Sequence, residues 1–168
     1  MSGEPITVPF TVLVDGREKL PYRFEGLQAD AKQWYRPLVV PTEWAHLTTG
    51  DYSIKGLVDR VAIERKSLAD LYTTLGRRRT QFEREHERLA ELDFAAVVVE
   101  SNWDEAIENP PEWSKLKPKC IHRTFCSWTE KHDVHWHFMS NRRLAEITTF
   151  RLLEKFFHHQ RIQELLQL

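Results

Sequence analysis

Apolar residues along this chain come in short β-branched bursts, separated by stretches with helical spacing. "FTVLVD" (residues 10–15) is one burst; it ends on an acid and reads as a strand. "HLTTGDYSI" (46–54) reads as a turn punctuated by Gly50 and entering a second strand. "LVDRVAIERK" (57–66) reads as a third, apolar at Val58, Val61, Ala62 and Ile63, and the short link through Gly56 makes it a hairpin with the second. Ser67 and Asp70 then form a capping-box start for a helix that stops at Gly76. Phe82, His86, Leu89 and Ala90 recur at helical spacing, predicting a second helix over about 80–92. "FAAVVVE" (94–100) is continuously apolar and follows helices, the pattern of a buried parallel strand. Residues 117–132 read as helix, "VHWHFM" (134–139) as strand, and residues from Asn141 onward as a long helix with Ser140 as its cap. Residues 28–49, which hold Trp34, Tyr35 and Trp44, read as loop with a short helix or strand.

That order of elements predicts an α/β domain, a mixed sheet sandwiched by helices. There is no internal repeat and no low-complexity tract. The 168 residues suit one domain, and a hydrophobic content of 41% suffices for a core. The formal net charge of -1 announces no nucleic-acid partner, so any basic surface is local. Cys120 and Cys126 would point to different faces of a helix, which argues against a disulfide and for a reducing compartment. The first residues lack the pattern of a signal peptide, and no apolar run approaches the roughly 20 residues that span a bilayer. The expectation is a soluble intracellular protein with no membrane partner.

The hairpin raises a chemical question, because it sets carboxylates, an arginine and a lysine at strand ends. Mg²⁺ takes oxygen ligands, one or two of them protein carboxylates. Asp51 starts one hairpin strand and Glu64 lies near the end of the other, so antiparallel pairing can bring them together, with the Arg65 carbonyl as a third ligand. Lys66 shares the face of Glu64, where an ammonium can orient a water or stabilise charge on a phosphate. Arg65 points the other way and could hold a second phosphate through its fork. Asp15 and Glu18 follow the first strand and join the cluster if that strand neighbours the hairpin. Carboxylates grouped this way repel one another without a cation, so the grouping itself points to metal.

"VDGRE" (14–18), "GDY" (50–52) and "ERKSLADL" (64–71) resemble the nuclease domain of the XPF/Hef-type, ERCC4-domain structure-specific endonucleases, a branch of the PD-(D/E)xK nucleases. The hallmark is a GD dipeptide, then ERK, then an Asp four residues after the Lys, here Asp70. The resemblance covers about residues 10–100. It implies a restriction-endonuclease-like α/β/α sandwich with a mixed central sheet and a Mg²⁺ or Mn²⁺ cofactor. It implies that Asp51 and Glu64 bind the metal, that Asp15 completes or extends that site, and that Lys66 positions the attacking water. Glu18 and Arg65 are implied as active-site support and phosphate contacts, and Asp70 as the helix start. The tandem helix-hairpin-helix module usual in XPF-type enzymes has no counterpart after Glu100, nor is there a helicase segment. The expectation is therefore a single stand-alone nuclease domain over 1–168, similar to those of phage and bacterial proteins, with a catalytic core at about 10–100 and C-terminal helices over 117–168.

Arg77, Arg78 and Arg79 sit between two helices just after this segment, either as contacts to a DNA backbone or as a solvated helix start paired with Glu83 and Glu85. Gln81 faces a direction the spacing leaves open. Lys115, Lys117, Lys119 and Arg123 form a second basic patch, phosphate-tracking or merely solvated. Cys120, His122, Cys126 and His132 fit no usual zinc-ligand spacing. His135 and His137 share a strand face and read as a partly buried structural pair. The last helix is apolar on more than one side, as core packing or a homodimer requires. The function expected is a metal-dependent endodeoxyribonuclease acting on branched, flap or fork DNA in repair or recombination. The alternatives are a non-catalytic DNA-binding or scaffold subunit and a restriction-type nuclease; the intact "GD" and "ERK" favour the enzyme.

Overall fold

The computed structural model describes residues 3–30 and 35–167; Trp34 lies outside them. The strands are β1 (Ile6–Thr7), β2 (Val12–Asp15), β3 (Leu38–Val39), β4 (Thr42–Ala45), β5 (Tyr52–Ile54), β6 (Val61–Lys66), β7 (Phe94–Val99) and β8 (His135–Phe138). The helices are α1 (Leu68–Leu75), α2 (Arg79–Ala90), α3 (Trp103–Glu108), α4 (Pro118–His132) and α5 (Arg142–Leu166).

A six-stranded sheet runs in the order β4-β2-β5-β6-β7-β8. Its β2/β5 and β5/β6 pairs are antiparallel, while β2/β4, β6/β7 and β7/β8 are parallel. This is the expected mixed sheet between helical layers. Strand alternation sorts the core into two halves. Val61 and Ile63 of β6, with Ala96 and Val98 of β7, face α5, where Phe150 and Leu153 are buried. Ala62, Ala95, Val97 and Val99 face the opposite layer, where Leu71 and Tyr72 of α1, Phe82 and Leu89 of α2, and Trp128 of α4 are buried.

Two glycines shape the hairpin. Gly56 turns the chain at φ +84 with open space around it. Gly50 combines φ +76 with close approach: a Cβ there would lie 2.9 Å from the Ala62 Cβ. Gly50 therefore lets the start of β5 lie directly on β6, and any side chain would push them apart.

The structure moves several predicted boundaries. β6 begins at Val61 rather than residue 57, because Leu57 to Arg60 continue the turn: the Arg60 and Val61 N–H groups both donate to the Leu57 carbonyl, and Val58 is left exposed. The described residues of 28–49 contain two strands. β3 pairs with β1 in a separate two-stranded parallel sheet, and β4 forms an exposed edge of the main sheet. Asn141 caps α5 in place of Ser140, its side chain accepting the Leu144 N–H at 2.8 Å. The capping box at Ser67 and Asp70 is present as expected. Both cysteines are free, and no helix among the described residues is long and apolar enough to cross a membrane.

Candidate active site

The alternation that sorts the core continues past it. On β6, Val61, Ile63 and Arg65 face α5, while Ala62, Glu64 and Lys66 face α1 and α2. The "ERK" triplet is thus split between two environments. Gly50 brings Asp51 alongside β6: the Asp51 N–H donates to the Ile63 carbonyl at 2.9 Å, and the Arg65 N–H donates to Asp51 Oδ2 at 2.7 Å.

Asp51, Glu64 and Lys66 open into one polar cleft of about 620 Å³, which Glu18, Arg78 and Gln81 also line. Lys66 Nζ donates to Glu64 Oε1 at 2.5 Å and lies 4.7 Å from the centre of the Phe82 ring. Burial works to lower the Lys66 pKa, but the charge and hydrogen bond of Glu64 outweigh it, with help from Asp51 and Glu85, so the ammonium holds its proton above the ordinary lysine value. Asp51 behaves in the opposite sense to most carboxylates. Burial, then the Glu64 charge, push its pKa well above the ordinary range, and the Arg65 N–H and Lys66 offset only part of this. The cleft is therefore short of positive charge at Asp51, the condition that a divalent cation relieves.

The opposite face of β6 holds a closed network. Arg65 donates from Nε and Nη2 to both oxygens of Glu100 at 2.7 and 2.9 Å, and from Nη1 to Glu18 at 3.4 Å. Glu100 Oε1 also accepts from the Tyr22 hydroxyl and from Arg142 Nη1, each at 2.8 Å. Burial alone would raise the Glu100 pKa, but these partners, Arg65 foremost, hold it below its ordinary value. The Arg65 fork, expected to hold a phosphate, is occupied by Glu100, with only 8% of the side chain exposed.

Asp15 likewise differs from expectation. Its Oδ1 accepts from the N–H and Nε of Arg17, and its Oδ2 from Arg17 Nη2 and from the Leu47 N–H at 2.7 Å. The carboxylate borders the cleft, but its oxygens tie the end of β2 to the segment after β4. Burial opposes ionisation there, and the Arg17 and Leu47 hydrogen bonds overcome it, so the pKa is lowered. Glu18 accepts the Leu20 N–H at 2.8 Å and leans toward Arg65.

The three arginines separate. Arg78 lines the cleft. Arg79 donates to Thr124 Oγ1 at 2.7 Å and lies 5.3 Å from the Trp128 ring centre. Arg77 turns to Trp113 at the rim of a second cavity. Gln81 faces the cleft, which settles its direction. Glu85 and Arg88 line the cleft too and were not anticipated. The signal existed: Gln81, Glu85 and Arg88 follow one face of α2, one position off the apolar stripe of Phe82, His86 and Leu89.

Two solved structures share this architecture. XPF from Aeropyrum pernix matches with a TM-score of 0.57 and 17% identity, over 86% of this chain and 58% of that one. XPF from Aeropyrum pernix in complex with DNA matches with a TM-score of 0.60 and 19% identity, over 87% of this chain and 66% of that one. The chain thus spans under two thirds of each of those proteins. No curated protein matches the sequence. The sequence model of the ERCC4 domain matches residues 14–150, from the last residues of β2 into the middle of α5 and across both faces of β6, and the chain belongs to that family.

Proposed function

We propose that this domain is a divalent-cation-dependent endonuclease that hydrolyses phosphodiester bonds of DNA, acting at branched, flap or fork structures. One observation carries the reading: Asp51 and Glu64 line a single cleft with Lys66, where burial and then the Glu64 charge push the Asp51 pKa up. A hard cation held by oxygen ligands, Mg²⁺ or Mn²⁺, suits that donor set. Asp51 and Glu64 would hold it, and when bound it supplies Lewis-acid stabilisation of the charge that builds on the phosphate.

The chain's own residues do the rest. Lys66, its ammonium supported by Glu64, orients a water and stabilises negative charge. Phe82 beneath the ammonium and Glu64 beside it fix its position. Arg78 and Arg88 at the cleft wall are placed to meet backbone phosphates. Arg65 acts from behind, locking β6 to Glu100 so that its N–H holds Asp51 in place. Asp15 supports the same strand ends from β2, where its N–H donates to the Asp51 carbonyl at 2.9 Å.

The likeness to an XPF solved with DNA supports a DNA ligand. The exposed Ile162, Leu165 and Leu166 at the end of α5 support pairing of two copies through that helix; sedimentation at micromolar concentration should show a dimer, and a strict monomer removes that part. The main test incubates the protein with Mg²⁺ or Mn²⁺ and linear duplex, single-stranded, flap, fork and four-way-junction DNA, beside the Glu64→Ala protein. Cleavage of the branched substrates by the parent alone is expected. Binding without cleavage in either cation leaves a DNA-binding subunit instead.

A further inference from the structure

We propose that Glu83, Glu87 and His132 form a second cation site, on the face of α2 away from the cleft, that takes a borderline transition-metal ion such as Zn²⁺ and clamps α2 to the end of α4. A carboxylate oxygen from each glutamate and a ring nitrogen of His132 all lie within 4.8 Å of one another. Tetrahedral ligands at Zn²⁺ distances of about 2.0–2.2 Å sit about 3.4 Å apart, a gap that rotation of two partly solvated glutamates closes. Glu83 and Glu87 are one helical turn apart, so their like charges oppose each other until a cation joins them.

The histidine supplies an independent reason. His132 is only 9% exposed, and its Nε2 is buried with no hydrogen-bond partner. Buried polar atoms without a partner are rare and costly, and a bound ion is one of their ordinary explanations. The neighbouring His86, whose ring centre is 5.1 Å away, accepts the Trp136 indole N–H at 3.1 Å. Lys131, 3.7 Å from Glu83 and 53% exposed, makes a loose surface pair that a divalent ion displaces.

The donor set fixes the class of ion. Two carboxylates with one imidazole suit Zn²⁺ and its late first-row neighbours, whereas Mg²⁺ and Ca²⁺ favour oxygen-only shells. Neither cysteine of α4 is in this group, and Cys126 lies 3.9 Å from His122. The inference does not depend on the nuclease reading, since none of its residues lines the cleft.

The test uses the whole chain carrying Asp51→Asn and Glu64→Gln, so that the active-site acids are not counted. After stripping with EDTA and dialysis against Zn²⁺, the parent should retain about one equivalent. Co²⁺ should give a visible d–d band, and Zn²⁺ should raise the Tm where Mg²⁺ does not. Adding Glu83→Gln and Glu87→Gln changes only partly solvated side chains, and circular dichroism checks that the fold survives. Zn²⁺ affinity should then fall by about 10–100-fold or more, the loss that even outer partners of a metal ligand cause. His132→Gln should abolish the Co²⁺ band. Failure of the parent to retain Zn²⁺, an unchanged affinity in the double glutamine variant, or an equal response to Mg²⁺ overturns the site.

Discussion

Asp15 and Asp51 end up side by side where β2 meets β5, joined by a backbone hydrogen bond, yet they occupy opposite electrostatic states. Asp15 accepts from Arg17 and the Leu47 N–H, and its pKa is lowered. Asp51 has the Arg65 N–H and faces Glu64, and its pKa is raised. The residue type is the same; what differs is that burial acts on Asp51 without a side-chain cation bonded to it, whereas Arg17 is bonded to Asp15. A carboxylate whose needs the fold meets is a structural part. One whose needs the fold leaves open is a place for something else to bind.

The largest effect that separates the two is on activity. Glu64→Gln and Lys66→Met should each lower DNA cleavage by at least about 1,000-fold while leaving circular dichroism unchanged, because the first removes a proposed ligand of the cation and the second the ammonium that stabilises charge on the reacting phosphate. Measurable full activity in either removes the assignment. Next in size is stability. Arg65→Met leaves Glu100 buried without its main partner and should cost about 3–5 kcal/mol in urea unfolding, with cleavage falling only as Asp51 loses its support.

The two aspartates themselves provide the sharpest contrast. Asp15→Asn should destabilise by about 1–3 kcal/mol through the loss of charge-assisted bonds to Arg17 and Leu47. Asp51→Asn should raise the Tm, since it removes a buried repulsion, and should abolish cleavage. A fall in Tm for both would mean that the two sites are not opposites. The smallest effect is in the pH dependence. Asp51 binds its proton more tightly when folded, so its contribution to stability declines as pH rises from its ordinary 3.8 toward the raised value, and stays lost above it. Asp15 binds its proton less tightly when folded, so its contribution is full above 3.8 and disappears as pH falls through the lowered value. Denaturation across pH should show the first slope vanish in Asp51→Asn and the second in Asp15→Asn.

The legible parts of this site are those set by strand geometry. A period of two sends Glu64 and Lys66 one way and Arg65 the other, and Gly50 and Gly56 mark the turn that returns Asp51 to β6. The hidden parts depend on distant partners. Arg65 reads as a free fork until β7 places Glu100 on its face, 35 residues later. Arg79 looks available until α4 brings Thr124 against it. Asp15 is the instructive case, because its partner Arg17 is only two residues away; the sequence shows the pair but not that the Leu47 N–H also bonds its Oδ2. The short strands β1, β3 and β4 escaped for a different reason: two are two residues long, and β4 is exposed almost throughout, so no alternation marks them.

The bond between Lys66 and Glu64 has a consequence for how the domain behaves between encounters with its substrate. The chain brings its own tethered counterweight to one of its two acids, so assembly of the fold does not wait on cation supply. On the proposed function, an incoming ion would share Glu64 with a resident already in place, and its hold would be graded by what the second acid adds. Loading and unloading would then be reversible steps, on a scaffold that is complete before either happens.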